Sequence, residues 1–317
     1  MAGIISVHPD RAAATARRYG IANYANHVDF SSGWQADAQA VMIGTTPHTH
    51  YEIARAALEA GKHVLTEKPM TIDPQQGRQL AELAASKRLV LAVVHNFQFS
   101  RASSRFRNIL AEKKLGAIKT IYGVQLCNHS RKIHDWCDDM PLGLFFDEAP
   151  HFYYMLRWLG GGELKLLNAS VWRNEEGRNT PRTVTGEYRA PNNVPIYLHI
   201  NFGSSITEWH ITIVCEKGVV DLDLWRDIYT FIPNDGVHTA KDITRTSIYA
   251  TAQHLWGVFT GGVRHVRGQH LYGNVEVVSR FYRAIQGQDS LVGMNPAEGI
   301  RVVEMQHEII AEAKYYP

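Results

Sequence analysis

The segment AVMIGTTPHTHYEIARAALEAGKHVLTEKP, Ala40 to Pro69, reads as strand, helix, strand. AVMIGTT is a short apolar run that ends in small polar residues. YEIARAALEAG then repeats apolar side chains at helical spacing and stops at Gly61. HVLTE is a second apolar run, closed by Glu67, Lys68 and Pro69. Continuous apolar strands joined by a helix of about three turns indicate a parallel sheet covered on both faces. The pattern repeats outward in both directions. GIISV (Gly3 to Val7) and the alanine-rich PDRAAATARRYG precede the segment, and DPQQGRQLAELAASK and LVLAVVHNF follow it. Residues 1–97 are therefore expected to form a doubly wound α/β domain.

The pattern changes after Phe97. FSRASSRFRNILAEKKLG reads as a helix, and strand-like runs follow at IKTIYGVQL, LKLLNASVW, RTVTGEYR, PIYLHINFG, WHITIVCEKGVVDLDL and IYTFI. Two helices, around Asn274 to Gln286 and Ala297 to Ala313, are expected to close the chain. Residues 98–317 thus read as an α+β domain with a large, open, mostly antiparallel sheet. No internal repeat and no low-complexity linker is present in the sequence.

Composition narrows the partners. With 317 residues, 45% hydrophobic and 20% charged, the chain is long enough for two ordinary domains and has no compositional sign of disorder. A net charge of +2 argues against nucleic acid or a membrane as partner. The cysteines, Cys127, Cys137 and Cys215, are few and odd in number, which fits reduced thiols in a cytoplasm. No apolar run approaches the roughly 20 residues that cross a bilayer, and no signal peptide is visible.

Ligands of open parallel sheets bind beyond the carboxyl ends of the strands. TTPHTH, EKP and HNFQF each lie just past such an end and converge on one edge. Lys68 then reads as a site residue, against the plainer reading of a solvated strand end. Farther on, FFDEAPHFYYMLRWLGG places Asp147 and His151 four apart, on one face of a helix. An imidazole titrates near neutrality and can take and return a hydroxyl proton. A lysine ammonium on the same oxygen stabilises developing negative charge. The plainer alternative for Asp147 and His151 is a surface i,i+4 pair. HDWCDD, His134 to Asp139, offers imidazole, thiol and carboxylate, but neither the spacing nor a second half-site of a zinc site, so no metal is expected. Trp172, Trp209 and Trp225 read as packing residues.

EKP together with D-x-x-x-H resembles the Gfo/Idh/MocA oxidoreductases, and the resemblance runs from Gly3 nearly to the last residue. It implies a Rossmann-like first domain, a nicotinamide cofactor, a sugar, cyclitol or related polyol as substrate, and Lys68, Asp147 and His151 as catalytic residues. It places Thr45, Thr46 and Pro47 beneath the nicotinamide-ribose, with His50, Glu67, Lys68 and Asn96 also on the cofactor side. His95 would face the substrate with the catalytic trio, with plain loop polarity as the equal alternative; HDWCDD itself reads as part of a loop over the substrate, where Trp136 stacks on a sugar ring. The resemblance also implies homodimers or homotetramers built on the outer face of the open sheet.

One part of the family pattern is missing. GIISVHPDRAAATARRYG matches the family's second strand and second helix, so the first strand, the first helix and the G-x-G-x-x-G turn are not found. Three accounts are compatible: a misplaced start or a shortened chain, a natural chain that binds the dinucleotide poorly or not at all, or a strand borrowed from another chain. Ser6, His8 and Arg11 would meet the adenosine ribose, with no acid at the strand end. That environment favours a 2′-phosphate, hence NADP slightly over NAD. The alternative function is a cofactor-poor relative that binds a carbohydrate, or carries out non-redox acid–base chemistry, with the same three side chains.

Overall fold

The computed structural model describes residues 1–174, 177–269 and 272–317. They form two compact units, Met1–Val94 with Arg280–Arg301, and His95–Ser279 with Val302–Pro317.

In the first unit β1 (Gly3–Ile5), α1 (Pro9–Tyr19) and β2 (Asn23–Ala25) make a parallel two-stranded pair. After α2 (Gly33–Asp37) comes a second parallel sheet of β3 (Ala40–Ile43), β4 (His63–Thr66) and β5 (Leu91–Val93), linked by α3 (His50–Glu59) and α4 (Pro74–Ser86). The strands expected over residues 1–97 thus fall into two sheets. Among the described residues no strand bridges β1 and β3, the place that the central strand holds in the order 3-2-1-4-5-6. The core of the larger sheet holds Ile43, Leu58, Val64, Leu80 and Val93, with Ile300 packed against it. Gly299, beside Ile300, permits that approach: a Cβ there would lie 2.7 Å from Val93 and 2.8 Å from the Met70 sulfur.

The second unit begins with α5 (Arg101–Ala111), β6 (Ile118–Asn128) and α6 (Leu144–Gly160). Six strands follow: β7 (Lys165–Trp172), β8 (Thr183–Arg189), β9 (Pro195–Ser204), β10 (Glu208–Cys215), β11 (Gly218–Asp223) and β12 (Ile228–Pro233). Then come α7 (Ala240–Val266), α8 (Asn274–Ile285), α9 (Pro296–Glu312) and β13 (Lys314–Tyr316), and the division into units falls within the residue ranges of α8 and α9. The sheet has eight strands in the order β12-β11-β10-β6-β9-β8-β7-β13. It is antiparallel except for the β6–β9 and β7–β13 pairs. Strand alternation sorts its faces: Trp209, Ile211, Ile213 and Cys215 are buried, while Glu208, His210, Thr212 and Val214 are half-buried on the other side.

Helix α6 covers the buried face and is apolar almost all round, as a core helix must be. It contains Pro150, which removes the backbone donor that the Phe146 carbonyl needs. Gln306 of α9 supplies the replacement, its Nε2 donating to that carbonyl at 2.7 Å in a buried setting. The three cysteines are free and buried. No described helix is long and apolar enough to cross a membrane.

Candidate active site

Parallel pairing brings the carboxyl ends of β3, β4 and β5 to one edge of the first unit. His50 fixes the loops there. It is fully buried, with Nδ1 2.8 Å from the Pro69 carbonyl and Nε2 3.2 Å from that of Thr45, so one ring ties the TTPHTH loop to EKP. The Thr45 and Thr49 hydroxyls meet at 2.6 Å, Pro47 is buried, and Thr45 is exposed with Thr46 half-buried. Glu67 and Lys68 are half-buried. The Glu67 carboxylate accepts the Lys68 backbone N–H at 3.3 Å and the Glu67 N–H donates to the Ile43 carbonyl at 2.9 Å, which pins the turn that carries the lysine. The peptide bond from Lys68 to Pro69 is cis. Ser6, His8 and Arg11 follow β1, which belongs to the two-stranded sheet and not to this one. The His8 N–H donates to Ser6 Oγ at 3.3 Å, and His8 and Arg11 are exposed.

In the second unit the deciding element is α6. Asp147, His151 and Trp158 are its only positions that are not buried, and their spacing puts them along one stripe. Gly143, just before the helix, has φ +54°, and a Cβ there would lie 2.6 Å from the Thr180 backbone nitrogen. The Thr180 hydroxyl accepts the Leu144 N–H at 2.9 Å, so the helix entry is both shaped and capped.

His151 Nδ1 stands 2.9 Å from the Tyr154 hydroxyl. That hydroxyl donates to Asn96 Oδ1 at 3.2 Å and accepts the Phe97 N–H at 3.1 Å. A phenol has one proton to give. With it directed to Asn96, His151 must donate from Nδ1, and the lone pair sits on Nε2. The tautomer is thus set by a residue one turn along the same helix. The ring of His95 stacks on that of Tyr154 at 4.4 Å, and Phe97 and Trp209 meet the His151 ring edge-on or tilted at 4.9 and 5.5 Å. His95 and Asn96 are both buried.

Glu148, next to Asp147, turns inward. It is buried, pairs with Arg131 at 2.5 Å and accepts from Gln125 Nε2. This anchors the loop before α6, on which Trp136 lies half-buried with its ring parallel to that of His134. Burial, followed by the Asp147, Glu148 and Asp138 charges, pushes the Cys137 thiol up to about 11. Sequence reasoning missed Tyr154 and Glu148; the only available signal was their place on the helix of His151.

Among the described residues one trio has metal-ligand character, Glu208, His210 and Asp223. A guanidinium already serves its carboxylates, Arg226 Nη1 lying 2.5 Å from Glu208 and 2.9 Å from Asp223.

The family model described as "Oxidoreductase family, NAD-binding Rossmann fold" matches residues 1–95, and that of the "GFO/IDH/MocA C-terminal domain" matches residues 104–221. The chain belongs to the Gfo/Idh/MocA family. Levoglucosan dehydrogenase of Pseudarthrobacter phenanthrenivorans is 31% identical over 189 residues, 53% of this chain and 45% of that protein. The 1,5-anhydro-D-fructose reductase of Ensifer adhaerens is 28% identical over 65% of this chain and 62% of its own length. The chain thus aligns with about half the length of these curated relatives. Among solved structures, levoglucosan dehydrogenase in complex with NADH and levoglucosan superposes with a TM-score of 0.73 at 20% identity, covering 99% of this chain and 88% of that one. GenD2 from gentamicin A biosynthesis, in complex with NAD, gives 0.74 at 16% identity, covering 98% and 85%. These superpositions establish the fold.

Proposed function

We propose that the protein transfers a hydride between a nicotinamide dinucleotide and a secondary alcohol or ketone of a sugar, cyclitol or related polyol. The observation that carries this reading is the His151–Tyr154–Asn96 chain, which directs the lone pair of a general base to Nε2 on the only stripe of α6 left open. In this reading Nε2 takes the hydroxyl proton during oxidation and returns it during reduction. Asp147, one turn before, binds a neighbouring hydroxyl or orients the imidazole. Lys68 donates to the reacting oxygen and stabilises its developing charge. His95 and Trp136 bind the substrate ring. The sugar relatives named above support the substrate class, and the first unit serves the dinucleotide while the second serves the substrate and the assembly of dimers or tetramers in the cytoplasm.

The described residues fit one half of the cofactor. In the first unit Thr45, Thr46, Pro47, Glu67 and Lys68 offer hydroxyl, carboxylate and ammonium groups suited to a nicotinamide and its ribose, with His50 joining their two loops; in the second unit Asn96 offers an amide. When bound, the nicotinamide supplies the hydride acceptor or donor. At the pyrophosphate end no glycine-rich turn precedes a helix among the described residues. Ser6, His8 and Arg11, with no carboxylate at the end of β1, support NADP over NAD at the adenosine end.

A second reading is a carbohydrate-binding relative that does acid–base chemistry without redox, with the same Lys68, Asp147 and His151. Titration with NADH and NADPH, read by fluorescence of the reduced nicotinamide, separates the two. Saturable binding upholds hydride transfer, and no binding at millimolar cofactor removes it. In either case His151→Ala and Lys68→Met should abolish turnover. Lys68→Arg should lose most of it with the fold intact, because a planar guanidinium does not replace a compact ammonium.

A further inference from the structure

Helix α7 turns its small and polar side toward the protein. Thr246, Ala250, Gln253, Gly257, Thr260 and Arg264 recur at helical spacing and, with Asp242 and Gly261, are its half-covered positions. Gln253 donates to the Phe231 carbonyl at 2.8 Å and accepts the Phe231 N–H at 3.2 Å, and a Cβ on Gly257 would meet Ile228 at 2.7 Å. The large apolar side chains point the other way. Ile248, Leu255, Trp256 and Phe259 are between 62% and 65% exposed, Val266 is 88% exposed, and no residue of the helix is buried. At 100° per residue, Ile248, Ala252, Leu255, Phe259 and Val266 form one stripe opposite β12. A continuous apolar surface of this kind needs a cover.

Charge identifies the cover. From Lys241 to Gln269 there is one carboxylate, Asp242, and it is engaged in the capping box with Thr239. Lys241 and Arg245 stand at one end of the stripe, Arg245 lying 3.5 Å from the Asp242 carboxylate, and Arg267 stands at the other. Beside the helix, Arg101 and Arg105 of α5 line a small cavity with Trp256 and Thr260. Asp227 also lines it, but its carboxylate accepts the backbone N–H groups of Arg101 and Ala102. A second copy of the helix laid on this stripe would bring cations against cations, with no acidic flank to pair with them. An anionic bilayer satisfies both the apolar stripe and its basic ends, and the helix lacks the apolar length to cross one.

We propose that α7 is an interfacial helix, lying along an anionic membrane with its apolar stripe at the acyl boundary and the arginines of α5 and α7 on the lipid phosphates. The whole-chain charge of +2, which argued against a membrane, averages this local concentration away.

Flotation of the purified chain with phosphatidylcholine vesicles, with and without phosphatidylglycerol, tests the proposal. Recovery with the anionic vesicles should exceed that with phosphatidylcholine alone by about tenfold and fall as salt is raised. Leu255→Asp/Phe259→Asp, at exposed positions, should reduce anionic-vesicle binding by at least about tenfold while leaving the circular dichroism spectrum unchanged. Arg101→Gln/Arg105→Gln should weaken it without changing the particle mass in solution. The proposal is overturned if wild type does not float with anionic vesicles, or floats no better than the Asp double variant. A wild type that fails to float, but forms a dimer which that double variant dissociates, would instead assign the stripe to a second copy.

Discussion

Replacing Tyr154 by phenylalanine removes one oxygen and leaves three polar groups to re-pair: the Phe97 N–H, Asn96 Oδ1 and His151 Nδ1. We expect Tyr154→Phe to cost about 1–3 kcal/mol of stability through unsatisfied buried groups. It should also lower kcat by one to two orders of magnitude, a share of the roughly 10²–10⁴-fold that a positioned base supplies. A pH–rate profile compared with that of His151→Ala checks the second part, since a purely structural tyrosine would leave the profile's shape unchanged. On the sheet's outer side, His210 makes a separate prediction. The Asp221 carboxylate at 2.8 Å, helped by Glu208, pushes its imidazole up from 6.5 to about 9 against the effect of burial. A raised folded pKa stabilises fully below 6.5, and the contribution is lost as pH rises through about 9. Its size is at most roughly 3 kcal/mol, reduced by solvent screening of the partly exposed ring. Denaturant midpoints across that window should fall in wild type and stay flatter in His210→Gln. Lys68, Asp147 and His151 could be singled out from sequence because charge at a strand end, and a pair four apart on a helix, are local patterns. Tyr154 was not, because its partner Asn96 lies 58 residues away and an aromatic on a buried helix reads as core.

At the scale of elements, α6 depends on a side chain from the other end of the chain. Gln306→Leu keeps the size of the side chain but leaves the Phe146 carbonyl without its donor, one turn before Pro150. The expected loss is about 1–3 kcal/mol, read as a lower denaturant midpoint with an unchanged slope. Gln306→Glu should be at least as harmful, because a carboxylate cannot donate to that carbonyl. The strands of the large sheet were legible from alternation and turn residues. The parallel β6–β9 pair was not, since sheet order depends on crossovers that periodicity does not encode. Helix α7 escaped notice because Thr, Gly and β-branched residues dilute its helical propensity, and because its apolar stripe answers to no partner within the described chain. The three-residue β2 is too short to show any period.

At the scale of the whole molecule, amide protons should register how the strands of the first unit are divided. β1 and β2 hydrogen-bond only to one another among the described strands, a two-stranded ribbon of marginal stability by itself. From Met1 to Ala38 only Ala12, Ala16 and Gln35 are buried, whereas β4 is paired on both sides and Val64, Leu65 and Thr66 are sealed. Local opening of the first 38 residues should therefore cost far less free energy than opening β4. Hydrogen–deuterium exchange should find the Ile5 and Ala25 region losing protection orders of magnitude before Leu65. A dinucleotide that touched both sheets would then slow exchange selectively at β1 and β2, because binding stabilises whatever it joins. Equal protection of the two sheets in the ligand-free protein would mean that they open together, and the boundary between them would carry no thermodynamic weight.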